Sequence, residues 1–178
     1  MIKISNEVTV AGYLFGDNGV VPNSALPVVV YRNAVLFINE TEHTAKQALA
    51  SIASTNRWRA DWVESNAVYR YTHYHSTAHE MLIVLSGSAE IRFGGSGGKE
   101  IRLSAGDAVA IPAGVAHRRI NGDHRFTVAG LYPYGQKWDL KRQTKSDYNT
   151  ALKYLPLVKL PLADPLYGTH GPLMRRWK

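Results

Sequence analysis

Between Tyr71 and Asn121 the chain sets out donor side chains at intervals that only a folded-back set of strands can gather into one place. The first stretch is His73-Tyr74-His75, four residues, Glu80, six residues, then Gly87. The second is Gly106, five residues, Pro112, one residue, Gly114, two residues, His117, three residues and Asn121. Side chains alternate faces along a strand, so His73 and His75 point the same way with Cα atoms roughly 7 Å apart. The residues between His75 and Glu80 give the strand room to end, turn and begin its neighbour with a carboxylate beside the imidazoles. Glu80 leads into Met81-Leu82-Ile83-Val84-Leu85, an apolar run of strand length stopped by Ser86-Gly87-Ser88. His117 comes from a further strand, placed by Pro112-Ala113-Gly114, whose proline fixes φ and whose glycine can take φ above zero. Three imidazoles and a carboxylate collected in this way point to one divalent transition metal ion, with Fe, Mn, Ni, Zn and Cu all compatible.

Other signals agree with a β fold. Val28 to Tyr31 and Ala34 to Ile38 read as two β-runs around Arg32-Asn33. Thr41 and Glu42 suit a helix start, and Ala45, Ala48, Leu49 and Ile52 recur at helical spacing, predicting a short amphipathic helix that ends near Ser54-Thr55-Asn56. Trp58, Ala60 and Trp62 then alternate with charged residues, as do Ala89, Ile91 and Phe93, and Ile101 and Leu103. Turn clusters fall at Glu64 to Asn66, Gly94 to Gly98, Ser104 to Asp107 and Asn121 to Asp123. Short strands so spaced argue for an antiparallel sandwich or barrel. Pro156, Pro161 and Pro165 sit among leucines, so Leu155 to Tyr167 is predicted to be extended and to lie on its own domain or a partner's.

A chain of 178 residues is one domain by size and can bury about 70% of its unfolded surface. It contains no cysteine, which excludes disulfides and thiolate metal sites and leaves nitrogen and oxygen ligands. Met1 to Glu7 lacks the pattern of a signal peptide, and no apolar stretch reaches the length of about 20 residues that spans a bilayer. A cytoplasmic protein with no membrane partner is the expectation. The net charge of +7 is scattered, with local density at Lys137 to Lys145 and Arg175 to Lys178. No docking element for nucleic acid accompanies it, so a generally basic surface is expected. Gly94-Gly95-Ser96-Gly97-Gly98-Lys99 has the wrong glycine spacing for a phosphate loop, and Glu100 stands where Ser or Thr is needed. A hairpin turn is expected there.

The two spaced stretches resemble the signature motifs of the cupin superfamily. The second matches at every fixed position from Gly106 to Asn121; the first departs only at Ala67, where the pattern has glycine. The resemblance implies an all-β, RmlC-like cupin jelly-roll β-barrel with a short N-terminal helix and an extended C-terminal tail. It carries the ligand roles to His73, His75, Glu80 and His117. The flanks, Asp17 to Arg32, Tyr132 to Gln136 with Trp138-Asp139, and Leu160 to Leu173, resemble single-domain bacterial cupins of the YjlB-like branch. The whole of 1–178 is then one cupin domain with its barrel core at about 57–132, and 133–178 is a tail packed on its own or a partner's barrel. Cupins commonly dimerise, so a homodimer is expected.

His79 is an alternative donor to Glu80, but Glu80 is the residue at the motif's distance from Gly87; His79 is expected beside the site or at the surface. Arg119 and Asn121 share strand parity with His117 and are candidate substrate-binding residues, provided no bulge intervenes. A buried Arg119 needs either a protein acid or the carboxylate or phosphate of a ligand. Tyr71, in parity with His73, is the candidate catalytic residue. These features read as a metal-dependent enzyme, an oxygenase or an isomerase or lyase, acting on a small anionic oxygen-rich molecule. The competing reading is a non-catalytic, metal-stabilised binder or sensor of a small metabolite.

Overall fold

The computed structural model describes residues 2–37 and 41–178. In chain order its elements are β1 (Ile2–Ile4), β2 (Thr9–Phe15), β3 (Ser24–Arg32), β4 (Val35–Phe37), α1 (Glu42–Thr55), β5 (Trp58–Ser65), β6 (His73–Tyr74), β7 (Glu80–Ser86) and β8 (Ser88–Phe93). Then follow β9 (Lys99–Ser104), β10 (Ala108–Ile111), β11 (His117–Gly122), β12 (Thr127–Pro133), β13 (Lys141–Arg142), α2 (Lys145–Tyr154), a 3-10 turn at Leu155–Leu157 and α3 (Pro172–Arg176). The end of the second predicted β-run, Ile38, lies outside the described residues.

Two antiparallel sheets carry the architecture: six strands in the order β2-β3-β10-β7-β12-β5, and five in the order β13-β6-β11-β8-β9. Strands β1 and β4 form a separate ribbon. The two sheets face each other as a jelly roll. Among the described residues no ladder joins their edges, so the expected barrel is a sandwich open at its sides.

The pattern of β7 explains the layering. Leu82 and Val84 point inward, where they meet Ile91 and Phe93 of β8 and Leu103 of β9. Met81, Ile83 and Leu85 point outward, into a second core made with Ala45, Leu49 and Ala53 of α1 and with Leu166, Leu173 and Trp177 near the C-terminus. The central strand is therefore covered on both faces, which is why its sequence is uninterruptedly apolar. Strands β8 and β9, covered on one face, alternate instead.

Helix α1 begins where the sequence predicts. Thr41 caps it by accepting from the Thr44 backbone N–H, while the Thr44 hydroxyl accepts in return from the Thr41 N–H, a reciprocal cap worth about 1 kcal/mol. Helix α2 was not anticipated, and the predicted extended stretch from Leu155 opens with a 3-10 turn. Among the described residues no helix is long and apolar enough to cross a membrane.

The tail packs on the chain's own sandwich. Trp58 Nε1 donates to the Ala163 carbonyl at 2.9 Å and Trp177 Nε1 to that of Pro27 at 2.8 Å. Asp164, fully buried, accepts from four donors: Tyr31 Oη at 2.8 Å, and the backbone N–H of Leu166 (2.9 Å), Tyr167 (3.1 Å) and Leu173 (3.1 Å). Replacing Asp164 with Ala strands these donors in the interior. The expected loss is about 3 to 5 kcal/mol in urea unfolding; a loss under about 1 kcal/mol would show that the tail is not anchored through this carboxylate.

Candidate metal centre

Strands β6 and β11 bring the first two imidazoles together directly, because His73 and His117 are cross-strand partners. The turn before β11 ties in the third. Gly114 takes φ 91°, and any side chain there would sit 2.3 Å from the Asn23 carbonyl. Its N–H donates to the His75 carbonyl at 2.8 Å, linking the two motif stretches through backbone. The ligand atoms of His73, His75 and His117 all lie within 4.8 Å of one another, and all three residues are buried.

Each imidazole is oriented from behind. His73 Nδ1 meets the Tyr71 carbonyl at 3.2 Å, His117 Nδ1 that of Val115 at 3.2 Å, and His75 Nδ1 that of Asp139. A carbonyl only accepts, so each Nδ1 carries the proton and each Nε2 presents a lone pair to the centre.

Strand parity places the carboxylate. Glu80 shares the inward face of Leu82 and Val84 and enters the same cavity, so its neighbour His79 must face outward. The His79 ring indeed lies against Trp177, centroids 4.7 Å apart, with Nδ1 accepting from the Ala113 N–H at 3.0 Å. Glu80 Oε1 accepts from the Tyr132 hydroxyl, which itself accepts from Trp62 Nε1 at 3.1 Å. Gly130 makes room for this relay, since a Cβ there would fall 2.1 Å from the Trp62 ring. Glu80 Oε2 is 3.3 Å from His117 Nε2 and 3.6 Å from His75 Nε2, and it is buried with no hydrogen-bond partner.

The electrostatics follow from this crowding. Burial, then the neighbouring His117 and His75, bring the His73 pKa down to about 2. Burial alone would raise the Glu80 carboxyl, but His75 and His117 hold it well below the usual range. Burial would lower His75; the Glu80 carboxylate outweighs that and raises it. The centre is thus electron-rich, and positive charge is what it lacks.

Residues 63–129 match the family model described as a cupin domain. Over 166 residues the chain is 39% identical to the uncharacterized protein YjlB of Bacillus subtilis (strain 168), an alignment covering 93% of this chain and 94% of that protein. The chain is a cupin of the YjlB-like branch. Among solved structures, acireductone dioxygenase from Bacillus anthracis aligns at a TM-score of 0.41 with 16% identity, over 74% of this chain and 80% of that one. RmlC from Streptococcus suis aligns at 0.38 with 12% identity, over 70% of each chain.

Two of the predicted residues, Asn121 and Tyr71, stand outside the cavity of this cupin. Asn121 is exposed, its amide donating to Glu90 at 3.0 Å. A bulge between Arg119 and Asn121 resets the register, so Asn121 pairs with outward Glu90 while Arg119 still pairs with inward Ile91. Tyr71 is outside the cavity wall: its ring stacks on Tyr69 at 4.7 Å and lies under the Arg142 guanidinium at 3.5 Å. Arg119 is buried in the cavity wall, and of the two partners open to it the structure supplies no protein acid: its guanidinium meets carbonyls and an amide oxygen.

Sequence reasoning missed Tyr132 and Trp62, which line the cavity and steer Glu80. No local spacing connects them to a carboxylate on another strand; only the β5–β12–β7 ladder does. Trp138 also lines the cavity, and Asp139 sits behind His75, its carboxylate gripping the Ser76 N–H and hydroxyl, each at 2.6 Å.

Burial lowers the His79 pKa from 6.5 to about 4. Between those values the unfolded chain takes up a proton that the folded one refuses, so stability falls as pH falls through the window. The effect is up to about 3 kcal/mol. In metal-free protein, His79→Asn keeps an acceptor for Ala113 and is expected to flatten this part of the stability–pH curve. Parallel curves for the two proteins would contradict the assignment.

Proposed function

We propose that this cupin is a metal-dependent enzyme, an oxygenase or an isomerase or lyase, acting on a small anionic molecule. One observation carries the reading: three buried Nε2 lone pairs and the orphaned Oε2 of Glu80 converge at the wall of a cavity of about 300 Å³. Four such donors repel one another unless a cation or protons sit among them, and a three-nitrogen, one-oxygen set suits a divalent transition ion. His73, His75, Glu80 and His117 would hold it. When bound, such an ion polarises an oxygen of the substrate as a Lewis acid or, if iron, activates dioxygen.

The chain's own groups do the rest. The carbonyls of Tyr71, Val115 and Asp139 keep the imidazoles aimed. The Tyr132 hydroxyl fixes Glu80 Oε1 so that Oε2 faces the histidines. Trp62, Tyr132 and Trp138 line the cavity, giving it apolar walls that displace water around the reacting groups.

Metal content of anaerobically purified protein, together with oxygen uptake and product formation on carboxylate and keto-acid panels, tests the reading. The double variant His75→Ala, His117→Ala is expected to lose the metal and any turnover together. Turnover that survives loss of the metal would overturn it, as would tight metal binding with no turnover on any panel, which is the behaviour of a binder.

A further inference from the structure

The segment joining β5 to β6 carries backbone strain. Asn66 has φ 56° and Val68 φ 64°; for a β-branched residue such a conformation costs about 1 to 3 kcal/mol and persists only where surroundings enforce it. Arg119 enforces it. Its Nε donates to the Val68 carbonyl at 3.3 Å, Nη2 to the Asn66 carbonyl at 2.8 Å and Nη1 to Asn66 Oδ1 at 3.4 Å, while its backbone N–H donates to the Tyr69 carbonyl at 2.9 Å. Three of the guanidinium's five N–H groups are thereby engaged and two are left over.

None of these acceptors is charged. Arg70, on the same cavity wall, lies near enough for the two cations to repel. Glu64 borders the cavity too, but among the described residues neither arginine forms an ion pair. A buried cation bracketed by neutral carbonyls, with a second cation lining the same cavity, lacks an anion. Arg119 is also the next inward residue after His117 on β11, roughly 7 Å along the strand. The cavity that holds these guanidinium groups and the histidines is lined by the rings of Trp62, Tyr69, Tyr132 and Trp138, of which Tyr69 meets His73 and Tyr132 and Trp138 meet His75. The volume, about 300 Å³, is at the small end for ligand pockets.

We propose that Arg119 and Arg70 form a carboxylate subsite, and that this cavity takes a small flat organic acid. Its carboxylate meets the two guanidinium groups and its body lies between the aromatic rings, reaching toward the histidines. The aromatic lining selects against a bare tetrahedral anion, which has no apolar face to bury. The reach toward the histidines rests on the proposed metal centre; the subsite itself does not.

The test uses metal-free protein and three probes: benzoate, its neutral isostere benzamide, and inorganic phosphate, titrated by calorimetry with intrinsic tryptophan fluorescence as a second signal. Benzoate is expected to bind at least about tenfold more tightly than either of the others. Arg70 is exposed, so Arg70→Gln folds. It is expected to weaken benzoate about tenfold and leave benzamide unchanged. No benzoate binding, equal binding of benzamide or phosphate, or an unaffected Arg70→Gln variant overturns the subsite. If that happens while the histidines still bind metal, the subsite alone fails. Charge-selective benzoate binding in a chain that takes up no metal fails the metal centre alone.

Discussion

The Glu80 carboxylate, buried against the Nε2 atoms of His75 and His117, is the interaction on which the structure's functional end depends. A carboxylate in the interior costs several kcal/mol unless something positive answers it. Here the answer is not another side chain of fixed charge. The imidazoles around it, held by backbone carbonyls with Nε2 turned inward, leave one place among them for a cation or a proton. Against the effect of burial, the Glu80 carboxylate favours a proton on His75 and raises its pKa. Proton and metal ion compete for one place.

That arrangement reaches outward through the layers. Glu80 faces inward only because β7 keeps strict alternation, and β7 can alternate between two apolar faces only because α1 and the C-terminal tail cover its outer side. The tail is pinned by Asp164, and Trp177 closes the outer core against His79. The loop after β12 then threads beneath the first motif, where Asp139 supports both His75 and Ser76 and Gln136 Oε1 accepts from the His79 N–H at 2.9 Å. The tail therefore positions the proposed metal donors without supplying one.

The sequence made the convergence of His73, His75, Glu80 and His117 legible because their geometry is local. A His-x-His pair, a strand-initiating glutamate and a Pro-x-Gly turn before His117 each declare a face or a bend within a few residues. What failed was parity carried one step too far. Asn121 lies beyond a bulge that no local residue type announces. Tyr71 lies before β6, where the chain is bent rather than extended, so alternation does not reach it. Tyr132 and Trp62 were invisible for the opposite reason: their roles arise only from ladder neighbours far apart in sequence. The fold class was easier, since alternation in β8 and β9 repeats over enough residues to outweigh any one exception.

The most direct test of the centre is anomalous diffraction from crystals of the anaerobically purified protein. One strong peak is expected, bounded by His73, His75 and His117 Nε2 and by Glu80 Oε2. Side chains splayed apart around a dry apolar plug, or a metal peak with Glu80 turned away to solvent, would contradict it.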